Sequence, residues 1–265
     1  MPDVFRELPD LSDTELQVYN YVMSNPSKVV KMSIQKIAKE TNTSTATLLR
    51  FCHELGYHGF SEFKFKLREE LENKTFTSAP NSVNNLSDTV NFFAKTAVSR
   101  QFLDQIDRAA QILVTKKLIL FVGLGSSNIM GEYGALYFSY LFDLAFRVED
   151  IYNFPIDHFP CELAEQTCVV ALSVSGETDD LLQYIRNPHT ANCTTIAITS
   201  NANSRLAQIS DACITYSLPV IIRNTSNLTT QSPCCYIIET LAGRVHELLQ
   251  KRQKSGPEAG GQRNR

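Results

Sequence analysis

An all-α helix-turn-helix domain followed by a parallel-sheet α/β domain is the fold class that this sequence predicts. Three observations carry that expectation. Apolar residues recur at helical spacing from Leu16 to Leu71, with a turn signal at Thr41-Asn42-Thr43 between two short helical patterns. A polar, breaker-rich stretch follows from Asn73 to Asn85. Beyond it, short apolar runs alternate with helical stretches, as a parallel sheet flanked by helices requires. The 265 residues and 43% hydrophobic content suffice to bury two cores.

Ser12-Asp13-Thr14-Glu15 is an N-cap with a Glu at the third helical position, and Leu16, Tyr19, Val22 and Met23 continue a first helix until Asn25-Pro26 ends it. Ser33 caps a second, short helix with Ile34, Ile37 and Ala38 inward and Lys36 and Lys39 outward. A helix-turn-helix needs a small residue where its helices touch and a residue tolerant of positive φ in the turn, and Ala38 and Asn42 meet those needs.

Ser44 begins a third helix, with Leu48, Leu49, Phe51, Cys52 and Leu55 offered to the core and Gly56 ending it. Its outer face is read as Ser44, Thr45, Thr47, Arg50 and His53. Arginine bridges guanine O6 and N7, and hydroxyls near a helix start reach phosphates or base edges, so Lys36, Ser44, Thr45, Thr47, Arg50 and His53 are the candidate DNA-binding residues. The competing reading is a three-helix protein-binding module with the same packing needs. Two glycines, Gly56 and Gly59, then allow a reversal before Ser61 opens a further helix through Leu71.

The net charge of −3 conceals an uneven distribution. From Lys28 to Arg68 eight cations (Lys28, Lys31, Lys36, Lys39, Arg50, Lys64, Lys66, Arg68) meet three carboxylates (Glu40, Glu54, Glu62), a local charge of +5 suited to a phosphate backbone. Seven cysteines, mostly inside apolar runs and with no C-x-x-C pair, predict reduced thiols without a disulfide framework or a metal site. No stretch reaches the roughly 18 apolar residues of a membrane span, and the first residues lack the pattern of a signal peptide, so a soluble cytoplasmic protein is expected.

After the linker a helical pattern returns from Asp88 to Leu113 through Val90, Phe93, Ala97, Phe102, Ile106, Ala109, Ala110 and Leu113. Strands are predicted at Leu118 to Val122, Cys168 to Leu172, Thr194 to Thr199 and Ala212 to Tyr216. Helices are predicted at Ser127 to Phe142, Thr178 to Arg186, Ser204 to Ile209 and Pro233 to Lys251. Ligands of such sheets sit beyond the carboxyl ends of the strands. Two loops occupy that position. Gly123-Leu124-Gly125-Ser126-Ser127 offers backbone N–H groups and hydroxyls to an anion, but lacks the third glycine of a dinucleotide fingerprint. Ser173-Val174-Ser175-Gly176-Glu177-Thr178 sets three hydroxyls around a glycine. Serines at strand ends often only cap helices; two such loops in one sheet favour a phosphate monoester instead.

The run Arg50-Phe51-Cys52-His53-Glu54-Leu55-Gly56-Tyr57-His58-Gly59-Phe60-Ser61-Glu62-Phe63-Lys64 resembles the signature that ends the DNA-binding domain of the RpiR family of regulators. That family joins a winged-helix-like N-terminal domain to a C-terminal sugar isomerase (SIS) domain that senses phosphorylated sugars. Ser173-Val174-Ser175-Gly176-Glu177-Thr178 is similar to the S-x-S-G-E-T phosphate loop of SIS domains, and Gly125-Ser126-Ser127 falls where that fold places its other phosphate-binding serine. The resemblance therefore implies Ser127, Ser173, Ser175 and Thr178 as phosphate holders, within a ligand set of Gly125, Ser126, Ser127, Ser173, Ser175, Gly176 and Thr178. Around Arg223 to Asn227 and Gln231-Ser232-Pro233 the sequence departs from a form that carries sugar contacts.

The expected organisation is thus residues 1–76 as the DNA-binding domain, 77–110 as linker and connecting helix, 111–252 as the SIS domain, and 253–265 as a disordered tail. The expected partners are a double-stranded DNA operator, a phosphorylated sugar and at least one further copy of the chain, since a single helix-turn-helix rarely reaches specific affinity. No cofactor, metal or membrane is expected. SIS domains also occur in isomerases, for which Glu177, Glu239 and His246 are the candidate acid–base groups, but no constellation of activated groups is legible and no catalytic residue is assigned.

Overall fold

The computed structural model describes residues 11–72, 84–142, 144–154, 156–186, 192–223 and 226–255. The linker expectation for 77–83 and most of the tail lie outside these residues. The chain forms two compact units, one of Met1–Ser99, Ser200–Ser204 and Thr215–Thr230, the other of Arg100–Thr199, Arg205–Ile214 and Gln231–Arg265.

In the first unit, α1 (Asp13–Ser24), α2 (Pro26–Val29), α3 (Ile34–Glu40), α4 (Thr45–Glu54) and α5 (Phe60–Glu72) enclose one core. Among the described residues 11–72 there is no strand, so the wing implied by the resemblance is not seen there. Ser12 and Glu15 close a capping box at the start of α1, with Ser12 N donating to Glu15 Oε2 at 2.9 Å. Ser33 and Ser44 cap α3 and α4 as expected. Both helices stop by the same device: Asn42 (φ 49°) and Gly56 (φ 84°) turn left-handed, and the next N–H, of Thr43 or Tyr57, returns to Ala38 O at 2.8 Å or Cys52 O at 2.9 Å. Phe51 and Phe63 meet edge-to-face, 5.7 Å between centroids, and Leu16, Ile37, Leu48 and Leu67 complete the core.

The helical pattern from Asp88 to Leu113 is two helices, α6 (Asn84–Ala97) and α7 (Arg100–Leu113), interrupted at Val98-Ser99. Val90 is exposed, whereas Phe102, Ile106, Ala109, Ala110 and Leu113 line the buried stripe of α7. The first unit also holds an antiparallel pair, β6 (Ile222–Arg223) with β7 (Ser226–Asn227).

In the second unit, β1 (Leu118–Gly123), β2 (Leu144–Arg147), β3 (Thr167–Leu172), β4 (Thr194–Thr199) and β5 (Ala212–Thr215) form a sheet in the order β2-β1-β3-β4-β5. The pairs β1–β2, β1–β3 and β3–β4 are parallel. Every residue of β1 and β3 is buried, the mark of strands covered on both faces. One face, with Leu118, Leu120 and Val122, packs with Leu181, Leu182 and Ile185 of α10 (Asp179–Arg186) and Leu206 of α11 (Arg205–Ile209). On the other, Phe121 meets Phe138 of α8 (Ser126–Ser139) at 5.2 Å. A Cβ on Gly134 would come within 2.5 Å of the Phe121 ring, which is why α8 carries glycine there. A short α9 (Cys161–Glu165) precedes β3, and α12 (Ser232–Ser255) closes the unit, with Arg244 Nε donating to Asp107 of α7 at 2.6 Å. Helix α12 runs through Gln253 to Ser255, so the start of the expected tail is helical.

All seven cysteines are free thiols. Burial pushes the thiol of Cys193 up to about 11 and those of Cys52 and Cys213 up to about 12. No helix of the described residues is long and apolar enough to cross a membrane.

Candidate functional site

The candidate nucleic-acid face consists of α3 and α4. Helix α4 starts at Thr45, so Thr47, Leu48, Phe51 and Cys52 turn inward while Thr45, Leu49, Arg50 and His53 turn outward. This corrects the expected outer face at two positions. Thr47 is buried, its Oγ1 is 2.9 Å from Ser44 Oγ, and its N–H donates to the same oxygen at 3.0 Å, so it serves the cap and presents no free face. Leu49, expected in the core, is exposed. Lys36, Ser44, Thr45, Arg50 and His53 are exposed on α3, α4 and the cap between them. Arg50 Nε stands 4.0 Å from Glu15 Oε1, a loose pairing at a surface side chain. Lys64 Nζ donates to Met32 O at 2.8 Å and Arg68 to Val30 O at 3.3 Å. Those two cations, counted toward the basic segment, satisfy orphaned carbonyls after α2.

The second site lies at the carboxyl ends of β1 and β3. The connections run to opposite sides of these two neighbouring strands, so the gap between them is the topological switch point where open α/β sheets hold ligands. In register, Gly123 at the end of β1 stands opposite Leu172 at the end of β3, and both serine loops leave from that level. A Cβ on Gly123 would meet Ser127 O at 2.6 Å, so glycine lets the first turn of α8 approach the strand. Gly125 at φ 57° then turns the chain into α8. Asn128 fixes the frame around this loop by donating from Nδ2 to Gly123 O at 3.0 Å and Val148 O at 3.1 Å.

In the second loop Ser173 Oγ accepts from Gly176 N at 3.0 Å and lies 3.1 Å from Thr178 Oγ1. Ser175 Oγ accepts from Glu177 N at 3.2 Å, and Gly176 stands at φ 66°. Ser126 and Ser127 each accept from the Nε2 of Gln231, just before α12, at 3.0 and 3.4 Å. A hydroxyl has one proton and two lone pairs, so one that accepts an N–H keeps its own proton to give. Ser126, Ser127, Ser173 and Ser175 all accept N–H groups, and this converts the two loops into a set of O–H donors. The loop's one carboxylate is neutralised: Glu177 accepts from Arg205 Nε at 2.6 Å and Arg205 N at 2.8 Å, and Arg205 also reaches Asp179 at 2.8 Å. Two donor-rich loops with their acid masked suit a phosphate.

Gln231 and Arg205 were not among the sequence-derived site residues. Gln231 sits in the diverged stretch, and no local pattern announces that its amide reaches a loop from another strand. The candidate acid–base groups are not gathered: Glu177 is bound to Arg205, Glu239 accepts from Tyr133 of α8, and His246 lies 2.7 Å from Gln250 on its own helix. Among the described residues, no three His, Cys, Asp or Glu side chains cluster as metal ligands do.

Two family models match the chain in this same order, the rpiR-family helix-turn-helix domain over residues 4–74 and the SIS domain over residues 112–237. The chain belongs to the RpiR family. Among curated proteins, the RpiR-family chain is similar to an uncharacterized HTH-type transcriptional regulator of Clostridium perfringens, 25% identical over 243 residues covering 88% of this chain and 86% of that one. It is 29% identical over 226 residues to the HTH-type transcriptional regulator HexR of Escherichia coli, covering 80% and 76% of the two chains. Among solved structures, the Vibrio vulnificus NanR protein complexed with ManNAc-6P shares its fold with a TM-score of 0.54 at 20% identity, over 92% of this chain and 89% of that one. The protein is an RpiR-family transcriptional regulator with a SIS domain.

Proposed function

We propose that this regulator controls carbohydrate metabolism by binding a DNA operator through α3 and α4, and that a phosphorylated sugar bound by the serine loops sets its affinity for that operator. Residues 1–76 act as the DNA-binding domain and 111–252 as the sensing domain, in a cytoplasmic homodimer whose two recognition helices meet two half-sites. Arg50 reads a base edge, and Lys36, Ser44, Thr45 and His53 meet phosphates or base edges. Gly125, Ser126, Ser127, Ser173, Ser175, Gly176 and Thr178 hold the phosphate.

The observation that carries this reading is the set of four serine oxygens at the switch point that accept N–H groups and so keep their own protons to donate. The likeness to NanR, whose solved complex contains ManNAc-6P, supports a sugar phosphate as the class of effector. Regulation without catalysis is favoured because the carboxylate of the phosphate loop is held by Arg205 rather than poised as a base.

The test is a thermal-shift screen of the full chain against hexose 6-phosphates, N-acetylhexosamine 6-phosphates, pentose 5-phosphates and their unphosphorylated parents. Product analysis and fluorescence anisotropy with DNA from the protein's own upstream region follow for the best compound. Stabilisation by one phosphate, no turnover and a changed DNA affinity are expected. Turnover would make the protein an isomerase with an accessory DNA-binding domain, and stabilisation by no phosphate would remove the phosphate site.

A further inference from the structure

One face of α1 is not used by the helical core. Asp13, Gln17 and Asn20 recur at i, i+4 and i+7 and stand in line along the helix, while Leu16, Tyr19, Val22 and Met23 point into the core. Each member of that line takes a polar group from chain that arrives nearly two hundred residues later. Asn20 Nδ2 donates to Leu218 O at 2.9 Å while its Oδ1 accepts from Val220 N, also at 2.9 Å. Ser217 Oγ donates to Asp13 Oδ1 at 2.9 Å, and Asn203 Nδ2 donates to Gln17 Oε1 at 3.3 Å. Leu218 and Val220 are buried, so the Asn20 amide satisfies a backbone acceptor and donor that flank an apolar anchor.

The partners share one origin. Ser200–Ser204 follows the carboxyl end of β4 and Thr215–Thr230 begins with the last residue of β5, and both segments belong to the compact unit of α1 to α6. The phosphate loop is tied to the residues next in the chain after the first segment. Gly176 O accepts from Leu206 N at 3.1 Å, and Glu177 grips Arg205 through both its backbone N–H and its guanidinium. Arg205 follows the fully buried Ser204, and Asn203 precedes it. From the phosphate loop to α1 the route is therefore two hydrogen-bonded steps joined by three consecutive residues.

We propose that Asp13, Gln17 and Asn20 are the positioning residues through which occupancy of the serine loops alters DNA binding. A phosphate that draws on Ser173, Ser175 and the N–H groups of Gly176 and Glu177 moves the grip on Arg205; Asn203 moves with it and Gln17 carries the shift into α1, while one that draws on Ser126 and Ser127 moves Gln231, the residue after Thr230, and Asn20 and Asp13 carry that shift from the segment before it. Helix α1 shares its core with α4, so the recognition helix moves as α1 moves. This relay rests on the effector reading above and goes beyond it by naming the coupling surface. Coupling between two binding sites is typically about 5- to 150-fold in affinity.

The test uses the full chain and the sugar phosphate giving the largest thermal shift in the screen. DNA affinity is measured by anisotropy with and without that compound for the unaltered protein, Asn20→Ala, Gln17→Ala and Gln17→Glu, and compound affinity by calorimetry. The relay predicts that Asn20→Ala and Gln17→Ala bind the compound as the unaltered protein does but lose most of the fold-change in DNA affinity. Gln17→Glu keeps an acceptor for Asn203 and retains it, which a merely structural role would not produce. A full fold-change in both alanine variants overturns the relay while leaving the effector reading standing. No response in the unaltered protein overturns the effector reading, and the relay with it. Should Asn20→Ala fail to fold, the Gln17 pair decides, because Gln17 makes one side-chain contact to the later segment and anchors no buried backbone.

Discussion

Replacing Ser173 and Ser175 separately by alanine should divide the phosphate loop into a structural and a ligand-facing hydroxyl. Ser173 is buried and its oxygen accepts from the buried Gly176 N–H. Removing it strands that donor, a cost of about 1–3 kcal/mol. At about 2–4 °C per kcal/mol for a domain of this size, Tm should fall by several degrees. Ser175 accepts from Glu177 N at a solvent-exposed contact, where water replaces the lost partner, so Ser175→Ala should leave Tm nearly unchanged. Both variants remove an O–H donor to an anion, a charge-assisted bond of about 1.5–3 kcal/mol, hence roughly 10- to 150-fold in Kd. Denaturant unfolding and calorimetry with the best sugar phosphate read the two quantities independently. Equal destabilisation by the two variants would refute the reasoning about the buried donor, and unchanged affinity in both would refute the assignment of the loop to phosphate.

Three further outcomes are expected. Arg50→Ala should weaken specific DNA binding by about 1–3 kcal/mol and relax the preference at one base pair, with little change in Tm because its contact to Glu15 is loose; an unaltered preference in a selection experiment would remove Arg50 from the base-reading set. Gly123→Ala should destabilise the protein by about 1–3 kcal/mol or more, since the new methyl would lie 2.6 Å from Ser127 O, and a thermal scan matching the unaltered protein would contradict the packing at β1 and α8. Arg205→Ala should unmask the Glu177 carboxylate and weaken sugar-phosphate binding, Glu177→Gln should restore much of the loss, and calorimetry finding the double variant no better than Arg205→Ala would exclude charge repulsion as the cause.

The helix-turn-helix was legible because its information is local: caps at Ser12, Ser33 and Ser44, left-handed stops at Asn42 and Gly56, and apolar spacing between them. The exchange of Thr47 and Leu49 has an equally local cause. A hydroxyl three residues after an N-cap was read as surface, whereas the cap itself draws Thr47 inward and turns Leu49 out. Strand β2 escaped notice because it is four residues long, lies at the sheet edge and exposes Leu144 and Phe146, so it has neither the length nor the burial of its neighbours. Gln231, Arg205 and the polar line on α1 were illegible for a different reason. Asn and Gln on a helix read as solvated positions, and only tertiary structure brings Leu218, Val220 and Asn203 to them.

The two cations that close the end of α2 change how strongly salt should oppose DNA binding. Lys64 and Arg68 are committed to backbone carbonyls, and Lys28 and Lys66 are paired with Glu40 and Glu69. Lys31, Lys36, Lys39 and Arg50 remain exposed to displace counterions from a duplex. At about −0.9 in slope per neutralised phosphate, a two-fold dimer would lose affinity with a log–log slope near −7, where the full basic count would imply about −14. A fourfold rise in ionic strength then weakens binding by about four decades instead of eight or more. A DNA-binding face so built is less sensitive to salt than its count of basic residues suggests.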